Sequence, residues 1–309
     1  MTTLGVALPL GGRLLAAGAT AKAPPAAEVE ARGLTVYQLG PQIWIRYNNR
    51  LLTCYRAHRS QKYPYCYPLA GPVSGMSLTD ETTLPYPHHR SLFFGCDRVN
   101  GGNYWQGELE TGQILSSGPQ VAKATPERVE ILDACDWQKP GGPVVMKDRR
   151  TITVHVPNDR LRLVDWQIQW RAVEDVVIEK TNHSLFSMRA ALEITPKGGG
   201  ELLNAEGDTG EKGTFGKKSA WCGFHGKRAP GFEVEGIALF DHPANPGGLA
   251  PWFTRDYGFA SPTPMYFVER QWELAAGGSV TLRYRVVLHA GTPKEAGLEE
   301  LHRAWSAKV

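Results

Sequence analysis

The chain has 309 residues, 42% hydrophobic and 21% charged, enough to bury one large core. Its 34 basic and 31 acidic residues nearly cancel, and no block of like charge stands out, which excludes the electrostatic footprint of a nucleic-acid or anionic-membrane partner. No segment approaches the roughly 18 continuous apolar residues of a membrane helix, so the body reads as soluble.

The five cysteines, Cys54, Cys66, Cys96, Cys135 and Cys222, form no C-x-x-C pair, against a zinc ribbon, a thioredoxin-type motif or a disulfide scaffold. Buried free thiols are the expectation; a Cys54–Cys66 bridge is the alternative for an exported protein. Residues 1–33 form a leader. A weakly apolar run ends in small residues at Ala19 and Ala21, followed by a Pro/Ala spacer. It reads either as the back half of a secretory signal without its charged start, or as a disordered Ala-rich segment. The first reading places the protein in the periplasm or outside the cell; the alternative is cytoplasmic.

From residue 34 to 309 the pattern is that of a single all-β domain. Pro85 and Pro87 hold the chain extended ahead of His88, His89 and Arg90, and the apolar "LFFG" from Leu92 then enters a sheet. If the strand has begun by then, alternation sends His88 and Arg90 to one side and His89 to the other. Strands follow at Arg128–Ala134, Thr151–Val156 and in "RLRLVDWQIQWR", where Val164, Trp166, Ile168 and Trp170 alternate with polar residues. Further strands are expected at Leu185–Ile194, Ile237–Phe240, Met265–Leu274 and in "SVTLRYRVVLH" from Ser279. Lys197 to Lys218, rich in glycine and charge, is too long for an ordinary connection and reads as a mobile loop or lid over the site. Only the tail, Pro293 to Ala307, looks helical. So many antiparallel-type strands make a large two-sheet β-sandwich with a short C-terminal helix.

Three constellations carry chemistry. His88, His89 and Arg90 sit at a strand entrance, where imidazoles shuttle protons and a guanidinium holds an anion or hydroxyl. In "GIALFDHPANPGGLAPWFTRDYGF" an apolar strand delivers Asp241 and His242 to a loop with Asn245, Trp252, Arg255, Asp256 and Tyr257. That mixture suits a sugar, whose hydroxyls need paired donors and acceptors and whose apolar face stacks on aromatic rings. In "EKTNHSLFSMR", Asn182 and His183 interrupt two strand-like runs as either a turn or a site. Asn100 and Trp105 follow the first constellation, and Trp221, His225, Lys227 and Arg228 are lesser candidates.

The segments from Tyr63 to the end that carry these motifs, the HHR and DHPxN...W...RDYG patterns above all, resemble a bacterial family labelled PmoA-like, or methane oxygenase PmoA, without an established activity. The resemblance implies a sandwich similar to the aldose-epimerase supersandwich and company with sugar catabolism. The chain differs from that family's pattern at Leu84–Tyr86 and at Thr181–His183, within two of the three constellations.

The expected function is that of a carbohydrate-active enzyme, a lyase, hydrolase or epimerase, using general acid/base chemistry on a sugar or glycoside. His88, His89 and His183 transfer protons; Asp241 orients His242 or accepts a hydroxyl; Arg90 and Arg255 hold an oxyanion or carboxylate; Trp105, Trp252 and Tyr257 stack. The histidine–arginine and Asp241–Arg255 segments are expected to converge at one end or face. No nucleotide or flavin fingerprint appears, so no organic cofactor is expected; a divalent metal on His88, His89, His183 and His242 is the minor alternative. The rival classes are a non-catalytic sugar-binding sandwich and the metal-dependent oxygenase of the family label. The expected partner is a small sugar or oligosaccharide; the oligomeric state is not legible.

Overall fold

Alternating strands must bury their apolar faces against one another, and a computed structural model, which describes residues 32–307, shows how they do so. An eight-stranded antiparallel sheet runs in the order β1 (Leu34–Leu39), β2 (Gln42–Tyr47), β3 (Arg50–Arg56), β4 (Tyr65–Leu69), β5 (Leu92–Cys96), β12 (Ser184–Arg189), β17 (Phe259–Pro262), β16 (Trp252–Arg255). A nine-stranded sheet runs β13 (Glu201–Asn204), β14 (Trp221–Gly226), β15 (Glu235–Asp241), β19 (Ser279–Ala290), β10 (Leu161–Ala172), β9 (Val144–Asn158), β8 (Arg128–Gln138), β6 (Gln113–Ser116), with β7 (Gln120–Ala124) also on β8. β11 (Val176–Ile178) and β18 (Trp272–Leu274) form a separate ribbon. The helices are α1 (Gly210–Thr214) and α2 (Leu298–Ser306). This is the expected two-sheet sandwich with a short C-terminal helix.

The sheets meet through aromatic side chains. Phe94 of β5 packs on Trp170 and Trp137 at 5.2 and 6.0 Å, and Phe186 of β12 on Tyr284 and Trp166 at 4.7 and 5.2 Å. Val164, Trp166, Ile168 and Trp170 all point into this core, as their alternation requires. α2 caps the far face of the nine-stranded sheet, where Leu298 and Trp305 bury against Leu163, Phe240 and Val287. Below Trp305, Asp165 and Arg285 are cross-strand neighbours joined by bonds of 2.5 and 2.8 Å.

Four local expectations change. β12 stops at Arg189, and Leu192–Ile194 is a 3₁₀ turn. Of Met265–Leu274 only Trp272–Leu274 is a strand, and α2 begins at Leu298 rather than near Pro293. Lys197 to Lys218 is no mobile loop: β13 pairs with β14, α1 follows, and Lys217 bonds Asp208 at 2.7 Å. All five cysteines are buried and unbridged, so Cys54 and Cys66 do not form a disulfide. Apart from Arg32 and Gly33, the expected leader lies outside the described residues. Among the described residues no helix is long and apolar enough to cross a membrane.

Candidate functional site

The site is built on the outer face of the eight-stranded sheet, over β5 and β12. Phe94 and Phe186 are register partners facing the core, so alternation turns Phe93 and Ser187 outward, and Arg189 with them. Antiparallel pairing also places Asp97, just past β5, beside His183, just before β12; the Asp97 amide donates to the His183 carbonyl at 3.0 Å. Gly95 lacks the Cβ that would stand 2.7 Å from the Tyr104 carbonyl, and so lets Tyr104 and Trp105 lie against the strand.

His88 arrives by a reversal. If the chain simply extended β5 backwards, His88 and His183 would stand roughly nine strand positions apart, about 30 Å at 3.3 Å per residue. Their rings are instead 6.1 Å apart. Ser91 takes a left-handed φ of 58°, and the segment before it is laid back across the sheet. Because β5 begins only at Leu92, strand alternation does not reach the histidines. The His88 and His89 rings lie side by side at 4.4 Å rather than on opposite faces.

His183 is held from two sides. Its ring stacks on buried Trp105 at 5.7 Å, and its Nδ1 lies 2.9 Å from Asp97 Oδ2. The Thr181 hydroxyl donates to the other Asp97 oxygen, so Oδ2 is left to accept from His183. In the neutral ring that bond places the proton on Nδ1 and leaves Nε2 with its lone pair, the orientation a general base needs. His89 is sandwiched among Phe259 at 4.4 Å, Tyr86 at 5.3 Å and Tyr257 at 6.3 Å. Tyr86, 37% exposed, stacks on Tyr257 at 4.9 Å and covers this group.

The guanidinium in this group belongs to Arg189. It lies 4.5 Å over the Tyr257 ring, is 4% exposed and makes no ion pair among the described residues. Burial, the neighbouring His183 and Arg189 push the His88 pKa down to about 4. Burial and then His88, Arg189 and His183 push that of His89 to about 2, so both rings are neutral at neutral pH. Burial raises the Tyr257 hydroxyl to about 12, Tyr86 adding to it and Arg189 and Arg255 opposing. His89 Nδ1, Trp105 Nε1, Ser187 Oγ and Arg189 Nε and Nη1 are buried with no hydrogen-bond partner among the described residues.

Of the sequence candidates, His88, His89, His183, Trp105 and Tyr257 thus come together, Trp105 as a buried floor rather than an open stacking face. Half-buried Asn182 lies beside them in the chain. The other candidates do not join them. Arg90 donates to Gln61 and lies over Tyr65, not over the histidines. Asp241 ends β15 on the opposite sheet, with His242 just past it. The Asp241 carboxylate accepts from Asn245 Nδ2 and the Ala250 amide, both at 2.7 Å, and from the His242 backbone amide, which closes the loop after β15. His242 accepts from the Ala244 amide and meets Trp305 edge-on at 4.8 Å. Asn245 also pairs with the Arg283 backbone, and Trp221 is buried beneath α2. Trp252 is 0% exposed and donates to the Ser219 carbonyl, so it cannot stack on a ligand. Arg255 and Asp256 grip Glu211 of α1. Asn100 is a left-handed turn residue whose side chain holds β11. His225 pairs with Glu201, and Arg228 with Glu193. Among the described residues no three His, Cys, Asp or Glu side chains are placed to hold a metal ion.

The family model that matches spans residues 42–303 and is described as a family of unknown function, DUF6807. The chain belongs to that family. This corrects the PmoA-like assignment, whose label was the source of the oxygenase reading. No curated protein matches this DUF6807 chain. Among solved structures it is similar to the GH36 alpha-galactosidase AgaB from Geobacillus stearothermophilus, at 10% identity and TM-score 0.49. That match covers 85% of this chain and 42% of the galactosidase chain. A galactose mutarotase related enzyme from Lactobacillus acidophilus is similar at 7% identity and TM-score 0.32, over 84% of this chain and 98% of that one. So is a GalM/aldose epimerase homologue from C. elegans, at 10% and 0.28, over 84% and 96%.

Sequence reasoning missed Asp97, Thr181, Tyr86 and Arg189 as site residues. Asp97 was visible as a polar residue closing the strand that the histidines open. Arg189 gave no signal: inside "LFSMRAALEI" it reads as a solvent-facing strand residue, and its burial depends on the loop laid over it.

Proposed function

We propose that this DUF6807 member is a carbohydrate-active enzyme of the lyase or epimerase type, with His183 as general base. The observation that carries the reading is the Asp97–His183 pair at 2.9 Å, set beside two neutral imidazoles and an unpaired guanidinium. Nε2 of His183 removes a proton from a substrate carbon next to a carbonyl or carboxyl group. The electron pair moves onto the neighbouring oxygen, where Arg189 and the N–H of neutral His88 stabilise the negative charge. A neutral imidazole suits that task because it donates a hydrogen bond without itself needing desolvation as a cation.

A sugar is the class favoured by the surroundings. Partnerless donors at His89, Trp105 and Ser187 suit hydroxyl groups, and the Tyr86–Tyr257 pair offers an apolar face. Hydrolysis by two opposed carboxylates fits less well, since Asp97, the carboxylate bonded to this histidine group, is engaged by both His183 and Thr181. The binding-protein alternative loses its main support, because Trp105, Trp221 and Trp252 are all buried.

The test is a panel of aldoses, methyl glycosides, keto-sugars and sugar acids incubated with the protein in D₂O and followed by proton NMR. Deuterium entering a sugar carbon, or an unsaturated product, is the expected result, lost in His183→Ala. Binding of several sugars without exchange or turnover would replace this reading by a binding function.

A further inference from the structure

Arg189 differs from the other buried arginines in making no side-chain hydrogen bond among the described residues, whereas Arg162 donates to the Ala70 and Gly71 carbonyls and the other two hold carboxylates. Arg150 holds Asp148 through bonds of 2.7 and 2.9 Å, and Arg285 holds Asp165 through bonds of 2.5 and 2.8 Å. Both are the bidentate pairs that offset the cost of removing a guanidinium from water. Arg189 is equally withdrawn, yet Nε and Nη1 are buried with no partner among the described residues and Nη2 makes no hydrogen bond or ion pair there either, so the Nε–Nη2 edge that Arg150 and Arg285 each give to a carboxylate is free. Its surroundings do not supply the missing charge. Tyr257 gives a ring face, His88 and His89 are neutral, and Asp80 contributes only an amide that donates to the Arg189 carbonyl. The acidic side chain nearest in effect, Asp80, is itself pushed up by burial and by Glu193 and forms no ion pair with Arg189.

We infer that Arg189 is the seat of a substrate carboxylate, so that the sugar handled here is a uronic acid or another sugar acid. The inference rests on the sugar reading above and narrows it. A planar carboxylate matches the free edge of the fork in two parallel bonds, which a hydroxyl does not. It also supplies the acidity the chemistry needs. The C–H of the carbon bearing the carboxylate gives its proton to His183 Nε2, and the C–H electron pair moves into the carboxylate as an enediolate facing Arg189. In an epimerase a proton from water is added at the opposite face of that carbon, while His183 releases the proton it took to solvent. In a lyase the pair forms the new C=C bond while the β C–O bond breaks, and the leaving oxygen takes the proton held by His183. Neither course needs a reactant other than water. Tyr86, exposed and stacked over Tyr257 and His89, is the side chain that must swing aside to admit the sugar.

The experiment is calorimetric titration of the full chain with methyl β-D-glucuronide against methyl β-D-glucoside, with methyl α-D-galacturonide against methyl α-D-galactoside, and with acetate. The expected result is that one uronide binds at least ten-fold more tightly than its neutral partner. Arg189→Gln should reduce that ratio to within about two-fold, while Arg189→Lys keeps part of it, as charge without the fork would. The wild-type comparison alone is decisive should the variants fail to fold. Equal affinity for acid and neutral sugars overturns the Arg189 inference and leaves the sugar reading standing. Acetate binding that depends on Arg189, with no sugar bound, supports the carboxylate seat and removes the sugar reading. Binding of no carboxylate at all overturns the inference.

Discussion

Asp97 touches the reaction only through the His183 ring, and that makes its role separable from His183's own. An Asn at position 97 can turn its amide toward Nδ1, which moves the ring proton to Nε2 and blocks the base. Asp97→Asn is therefore expected to lower kcat on the order of 10²-fold or more with KM little changed and the pH–rate profile displaced, whereas a purely structural role would shift Tm and leave the profile alone. Trp252→Ala is a core truncation, with an expected loss of about 3–5 kcal/mol of stability by chemical denaturation. Retained stability with weakened sugar affinity would return Trp252 to the binding surface. At this scale the sequence marked the histidines, because imidazoles ahead of an apolar run are conspicuous. It could not mark Arg189 or separate Arg90 from it, since both read as strand-associated arginines and only the reversal at Ser91 decides which one faces the rings.

The pairing of β5 with β12 is the element that assembles the site. It sets Asp97 against His183, and Gly95 leaves room for the Trp105 floor. A Cβ 2.7 Å from the Tyr104 carbonyl must displace that segment. Gly95→Ala is thus expected to cost about 1–3 kcal/mol, the usual range for overpacking, and to reduce turnover by loosening His183; unchanged Tm and turnover would show that the floor does not position the ring. The glycine-rich segment gives a second test. Deleting residues 201–218 removes β13 and α1, uncovers the edge of β14 and strips Asp256 of Glu211. A clear fall in Tm is expected, where a detachable lid would leave Tm unchanged. In the nine-stranded sheet β8, β9, β10 and β19 were legible because they are long and alternate, whereas the short β6, β7 and β13 were not. β5 and β12 are buried on both faces, so their sequences carry no alternation from which an outward face could be read.

Across the molecule, buried titratable groups set the response to acid. His88 and His289 are held down to about 4 and His89 to about 2, in each case first by burial. Their folded values lie below the ordinary 6.5, so the unfolded chain takes up protons first and stability is lost as pH falls from about 6.5 toward 4. Asp241, raised to about 6 by burial, acts in the opposite sense: its contribution is present below the usual 3.8 and lost as pH rises to 6. With His225 and His302, also lowered by burial, five histidines outweigh three raised carboxyls, Asp80, Asp133 and Asp241. The urea midpoint is expected to climb from about pH 4.5 to about pH 6.5 and then level off, and His289→Asn, which can still donate to the Gly291 carbonyl, should flatten the climb. A midpoint that falls over this range would refute the assignment of neutral buried imidazoles.

The two-sheet architecture followed from patterning, but the choice of sheet face did not, because it depends on pairing segments some ninety residues apart. The proposed site is the histidine group over β5 and β12, not the Asp241–His242 corner under α2. Imidazole ¹H–¹⁵N NMR of the full chain, titrated with the same uronides and glycosides, tests it most directly. Ligand-dependent shifts are expected at His88, His89 and His183, with His242, His289 and His302 unmoved; shifts at His242 and His302, with the three outer-face rings silent, would move the site to the corner under α2.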